Sequence, residues 1–166
     1  MSPIHKPIIL DNDVVCVLFL ANVLERLLSI WPQGSFFITE RVRTEANEWP
    51  SRGKELIALI DKLETQGVIT TTTIDDSSED EIIAYSILCL SKRIGMGESA
   101  SIAIAQNRGY DVATNDGDAR EYCRELFPSV KTIGSGTILN WAISDGLIPE
   151  DEGTMIREAM DEFFTH

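Results

Sequence analysis

GMGESASIAIAQNRGYDVATNDGDAR, residues Gly95 to Arg120, carries the reading on which the fold turns. Gly95-Met96-Gly97 interrupts the chain, and the Ala-rich run from Glu98 to Asn107 then predicts a helix. Asp111-Val112-Ala113-Thr114 reads as a short buried strand. Its exit, Asn115-Asp116-Gly117-Asp118, brings acids to a turn, and a helix follows over Asp118–Leu126. An apolar strand that delivers acids at its end needs something to receive them: the N-terminus of the next helix, or a cation.

The pattern repeats outward. Upstream, Pro7–Leu10 reads as a buried strand ending in Asp11-Asn12-Asp13. Val14 to Ile30 predicts helix, broken near Ala21-Asn22 and closed by Trp31-Pro32-Gln33-Gly34. Phe36-Phe37-Ile38 is a second strand, with Thr39 as N-cap of a helix through Trp49. Leu56, Leu59, Ile60 and Leu63 space a helix over Lys54–Thr65, with Gly67 behind it, and Val68–Ile74 is the strand of highest β-propensity. Ser78 to Glu81 fits a capping box opening a helix through Ile94. Downstream come a fifth strand, Val130–Ile133, and helices over Ser135–Ser144 and Glu152–Phe164. Strands alternating with helices predict an α/β/α sandwich with a central, mostly parallel five-stranded sheet and helices on both faces.

The 166 residues fit one core, so residues 1–166 read as a single domain in which 145–166 form an acidic helical extension. At 43% hydrophobic the chain is too apolar for disorder, and no apolar run has the length of a membrane span. The N-terminus lacks a secretory signal, and Cys16, Cys89 and Cys123 are odd in number and widely spaced. Reduced thiols in a cytoplasmic protein are expected. The net charge of −13 has the wrong sign for gripping phosphate backbones by bulk electrostatics. Most of it lies in Asp75–Glu81 and in Asp145–His166, outside the strand ends. The last helix has an apolar stripe of Met155, Ile156, Ala159, Met160, Phe163 and Phe164, which packs on its own domain or meets a partner.

In an open parallel sheet, sites form at the carboxyl ends of the strands. Asp11 and Asp13 from the first strand and Asp116 and Asp118 from the fourth share that edge, with Glu45 and Glu98 on adjacent helices. Singly, each has a plainer role. The aspartates suit helix caps, Glu98 suits the helix dipole, and Glu45, like Glu48, suits a solvated face. Together they repel, and a hard divalent cation such as Mg²⁺ or Mn²⁺ resolves the conflict.

The order apolar strand–Asp11, helix Glu45, GMGESASIAIAQ and apolar strand–TNDGD resembles the PIN-domain ribonucleases, and within them the toxin half of VapBC-type toxin–antitoxin pairs. The resemblance implies metal-dependent RNA cleavage by one or two Mg²⁺ or Mn²⁺ ions, an antitoxin partner and a homodimer. It places Asp11, Glu45, Glu98 and Asp116 at the four acidic positions, Asp118 at a frequent fifth and Thr114 at the preceding Ser/Thr. Asp13 departs from the pattern, which often has Asn after a small hydroxyl residue; here it is a supporting or extra ligand. Metal ligation is assigned to Asp11, Glu98, Asp116 and Asp118. Arg41, Arg43, Lys92 and Arg93 are the candidate RNA contacts, with Arg52, Lys54 and Arg120 behind them. Trp31, Trp49 and Trp141 stack on bases or fill the core.

Two other readings compete. Asp11-x-Asp13-x-Val15 also fits a haloacid-dehalogenase-type phosphatase, with Asp11 as nucleophile, Asp13 as acid/base and Lys131 as the only candidate lysine. A catalytically silent PIN-like scaffold acting as a binding module is the third.

Overall fold

The computed structural model describes residues 4–163. Its elements run β1 (Ile8–Leu10), α1 (Asn12–Leu20), α2 (Leu24–Leu28), β2 (Phe36–Thr39), α3 (Glu40–Asn47), α4 (Gly53–Thr65) and β3 (Ile69–Thr72). Then follow α5 (Glu79–Ser91), α6 (Met96–Arg108), β4 (Asp111–Ala113), α7 (Gly117–Leu126), β5 (Thr132–Ile133), α8 (Ser135–Ser144) and α9 (Glu150–Asp161).

The five strands form one sheet in the order β3-β2-β1-β4-β5, and every pairing is parallel. The chain winds from β1 to one edge, then returns to place β4 on the other side of β1. The β1/β4 boundary is therefore the point where winding reverses and a crevice opens. Alternation along β1 feeds two cores. Ile8 and Leu10 join Val14, Leu18, Val42, Leu56, Ile60, Leu139, Ile156 and Met160 on one face, while Ile9 joins Ala84, Leu88, Ile102, Ile104, Val112 and Cys123 on the other. The α/β/α sandwich expected from the sequence is the observed architecture.

Local differences have local causes. The helix after β1 starts at Asn12 and breaks where Asn22 takes φ 60. The helix expected to reach Ile94 ends at Ser91, because Lys92 turns left-handed at φ 57. Gly95-Met96-Gly97 does not break the chain: Gly95 caps α6 and the other two residues form its first turn. Strands β3 and β5 are shorter than read. In the last helix Ile156 and Met160 are buried, but Met155 is 70% exposed and leaves the expected stripe. Phe164, the end of that stripe, and His166 lie outside the described residues.

The capping box is half formed. The Ser78 hydroxyl accepts from the Glu81 N–H, but Glu81 does not reach back to Ser78. Its carboxylate is buried, accepts from the Asp75 N–H and pairs with Arg108 at 2.9 Å. Arg108 also donates to the Thr72 hydroxyl and the Thr73 carbonyl, so one guanidinium ties α6 to α5 and to the exit of β3. Arg108→Ala strands a buried carboxylate and is expected to destabilise the chain by roughly 2–3 kcal/mol in urea denaturation. A change below half of that would show the strap to be incidental.

Candidate active site

Leu10 and Ala113 pair in register, so β1 and β4 end side by side. The Asp11 N–H donates to the Ala113 carbonyl at 2.9 Å, which fixes the exits of the two strands against each other. From there the chain places Asp11, Asp13, Glu45, Glu98 and Asp116 around one crevice. A cleft of about 260 Å³ is lined by Asp11, Asn12, Asp13, Cys16, Glu45, Gly95, Gly97 and Glu98. A larger cleft, about 520 Å³, lies away from this edge at the α1–α2 turn; its Glu25 and Arg26 are paired with Lys62 and Glu152.

Each acid is held differently. Asp11 occupies the N-cap position of α1 but makes no capping hydrogen bond, and it is only 3% exposed. The capping role therefore does not explain it. Asp116 does cap: its Oδ1 accepts from the N–H groups of Asp118, at 2.9 Å, and Ala119 at the start of α7. Asp13 reaches across to the β4 exit, where its Oδ2 accepts from the Asn115 N–H at 2.9 Å and the Thr114 hydroxyl at 3.4 Å. Its Oδ1 is buried with no partner, as is Glu98 Oε2. Glu45 lies against the first turn of α6. A Cβ on Gly97 would stand 3.1 Å from Glu45 Oε1 and 3.4 Å from Arg41 Cγ. Gly97 matters for this close approach, more than for the backbone freedom expected of it.

A rigid support surrounds the acids. The Thr114 hydroxyl also accepts from the Asp116 N–H at 3.2 Å, so one buried side chain holds the Asp13 carboxylate and the Asp116 backbone. Asn115 Oδ1 accepts from both the N–H and the hydroxyl of Ser135, fastening the β4 exit to α8. Arg120 was a candidate substrate contact, but its Nε donates to the Thr114 carbonyl at 2.9 Å and its guanidinium lies on Gly134. Asn115 stands inside the most telling stretch of the sequence and was still missed, since nothing local points to a partner twenty residues on.

Crowding shows in the titration of the acids. Burial, then the charges of Asp13, Glu45 and Asp116, push the Asp11 carboxyl up to about 7, against the N–H of Asn12. Glu98 is pushed up to about 8 by burial, by the charges of Asp11 and Asp116, and by a hydrogen bond to the Asp116 carboxyl. Asp13 is raised by burial, against the N–H groups of Asn115 and Val14 and the Thr114 hydroxyl. Burial and the same acids push the Cys16 thiol up to about 11, which keeps it neutral and removes it as a nucleophile at neutral pH.

Other predicted residues fall outside the crevice. Asp118 is exposed, and its carboxylate is not among the charges that shift Asp11, Asp13 or Glu98. Of the bases, Arg41 pairs with Glu45 at 3.5 Å and stands by the cleft. Arg43 points the other way, to Asp61 and Glu64 of α4, and is corrected from a substrate contact to a helix–helix tie. Arg93 stacks on Tyr122 and pairs with Glu125, and Lys92 is exposed. Trp31 is buried against Phe36 and Trp49 packs on Phe19, so both serve the core.

A family model described as a PIN domain matches residues 7–165. The chain belongs to the PIN-domain family. No curated protein sequence matches the chain. Among solved structures, the crystal structure of FitAcB from Neisseria gonorrhoeae is similar, with 17% sequence identity and a TM-score of 0.49, covering 77% of this chain and 97% of that one. PIN domains are generally nucleases, and they typically use divalent metals. The phosphatase reading loses its lysine, because Lys131 precedes β5, at the amino ends of the parallel strands, whereas Asp11 follows the carboxyl end of β1.

The residues of this PIN domain fit a hard cation in chemistry. The donors are all carboxylate oxygens, and two of them are buried without partners. Among the described residues, no three His, Cys, Asp or Glu side chains converge closely enough to ligate an ion as they stand. Glu98, raised to about 8 by burial and by the charges of Asp11 and Asp116, keeps its proton at neutral pH, and a bound ion would have to displace it.

The raised acids have a defined effect on stability. The folded chain retains protons on Asp11 and Glu98 that the unfolded chain has released above about pH 4. Their contribution therefore falls as pH rises from about 4 to about 8 and is level outside that window. Asp11→Asn removes the more deeply buried of the two ionisable groups. In EDTA its melting temperature is expected to exceed that of the unsubstituted chain by roughly 5 °C at pH 8, with little difference at pH 4. A difference independent of pH would show that Asp11 is not held in the crowded state.

Proposed function

We propose that this PIN domain is a Mg²⁺- or Mn²⁺-dependent endoribonuclease, acting in the cytoplasm as the toxin component of a VapBC-type toxin–antitoxin pair. The observation that carries the nuclease reading is the buried Asp11 carboxylate, enclosed with Asp13, Glu45, Glu98 and Asp116 and lacking any compensating cationic side chain within the cleft lining. Unrelieved repulsion of this kind has no structural use, and a PIN fold gives it a catalytic one. The toxin assignment, with an antitoxin as partner, rests on the resemblance of Gly95–Arg120 to that subgroup.

In this reading Asp11, Glu98 and Asp116 hold the ion, while Glu45 adjusts its charge or helps to hold a second one. A bound ion supplies a water activated near neutral pH and charge relief on the leaving oxygen. The chain does the rest. Thr114 and the Asn115 N–H keep Asp13 and Asp116 from rotating away, and Gly97 admits Glu45 to the edge. Arg41 offers positive charge beside the crevice to an RNA backbone that the net charge of −13 would otherwise repel.

The test is incubation with total RNA and Mg²⁺ or Mn²⁺, mapping the cut ends, beside Asp116→Asn. Asparagine still offers an Oδ1 to the Asp118 and Ala119 N–H groups, so the α7 cap survives while the charge is lost. Cleavage is expected to fall by at least about a hundredfold with unchanged circular dichroism. Calorimetric Mn²⁺ binding should be tighter at pH 8 than at pH 6 and release protons, since Asp11 and Glu98 must ionise to ligate. Absence of both cleavage and metal binding would instead favour the silent binding module.

A further inference from the structure

The sheet edge that carries the acids continues past them. Strand β5 lies beside β4, and α8 starts directly after it on Gly134-Ser135-Gly136-Thr137. A second cleft, about 330 Å³, opens there, roughly one strand spacing of about 4.8 Å beyond the exit of β4. Its walls reverse the charge of the acidic crevice. Arg120 of α7 and Arg157 of α9 line it, with Asp161 as the one acid.

Positive charge gathers here where a helix already supplies it. Gly134 is the N-cap of α8 and offers its N–H groups no side chain, and the first turn holds no acid. A Cβ on Gly134 would collide with Arg120 Nη2, so glycine lets a guanidinium lie against the helix start. A cation at that end opposes the helix dipole. The Nε bond to the Thr114 carbonyl keeps Arg120 in place and occupies one of its five N–H groups. Arg157 comes from the other side and donates to the Asn140 side chain.

Asn115 points to a ligand independently. Its Oδ1 accepts from the N–H and the hydroxyl of Ser135, which settles the orientation of the amide. Nδ2 is left as a buried donor without an acceptor, on a residue that lines this cleft. A helix start, an amide and two guanidiniums are donors that one oxyanion satisfies together. Gly136 keeps the approach open, since nothing stands within 4 Å of a Cβ placed there.

Position selects the oxyanion. Asn115 sits between Thr114, which holds Asp13, and Asp116, so the cleft and the acidic crevice share a wall. We propose that the cleft at the start of α8 binds a backbone phosphate of the RNA strand, neighbouring the one that is cut. The identity of this ligand rests on the nuclease reading; the oxyanion site itself does not.

Gly136→Asp and Gly136→Asn test it as a pair. Both side chains enter open space, they differ in charge alone, and an acid suits the first turn of a helix, so circular dichroism should not change. In EDTA, titration with inorganic phosphate is expected to shift the Thr137 N–H and Asn115 side-chain amide signals saturably in the unsubstituted chain, and not in Gly136→Asp. A labelled oligoribonucleotide of about ten residues, followed by fluorescence anisotropy in EDTA, is expected to bind Gly136→Asp at least about tenfold more weakly than Gly136→Asn. Arg157→Ala should lower the slope of log K against log salt by about one. Phosphate shifts with equal RNA affinity in the two Gly136 variants would make this a site for free phosphate and overturn the proposal. Absence of both effects removes the oxyanion site altogether. Charge-dependent RNA binding in a chain that cuts no RNA with Mn²⁺ would keep the phosphate cleft and remove the nuclease reading instead.

Discussion

Buried carboxylates repel one another at the β1/β4 exit, and the surrounding structure is arranged to withstand that force. Asp11 is 3% exposed and raised to about 7, Glu98 to about 8, yet neither has a basic partner in the cleft. Left free, such groups would swing to solvent. Here the register of Leu10 with Ala113 fixes the strand exits, Thr114 and Asn115 hold Asp13, and Ser135 and Arg120 brace the loop that carries Asp116. The crowding is a standing cost to stability that a bound cation would offset.

The overall charge looks different once its parts are placed. Glu81, counted among the acidic run before α5, is a buried strut neutralised by Arg108. Glu64 and Asp61 absorb Arg43, and Glu125 holds Arg93. These charges are engaged in short-range pairs, the exposed ones of small energetic weight. What distinguishes the crevice is that Asp11 is buried and that it, Asp13 and Glu98 have no such basic partner. A net charge of −13 opposes nucleic acid at long range, but that field is screened within roughly 10 Å at ordinary ionic strength. Close to the crevice the local arrangement of Arg41 and the acids governs.

Helix α5 joins the two themes of burial and charge. Its inner side completes the second core through Ala84 and Leu88, and its outer side leaves Ile83, Ile87 and Leu90 open between acidic and basic ends. A sequence pattern with apolar residues all round the helix cannot say which side the domain covers. Packing against α6 decides it.

The sequence by itself determined the sheet and the edge where chemistry gathers. Strands Ile8–Leu10 and Asp111–Ala113 are short apolar runs ending in acids, and period and turn chemistry are local properties that a chain displays without its neighbours. Thr39 and Ser78 announced their caps for the same reason. Only the tertiary structure decided which acids are alike. Asp11 and Asp116 both follow strands, but one is a buried, unpaired carboxylate and the other caps α7. Arg41 and Arg43 lie two residues apart, yet one stands by the cleft and the other ties α3 to α4. Met96 and Gly97 read as a break and proved to be the first turn of a helix, where the missing Cβ admits Glu45. These outcomes depend on which side of a helix meets which neighbour, on a Ser135 twenty residues from Asn115, and on dielectric burial. None of these is a property of a segment; each arises when distant segments pack and exclude water.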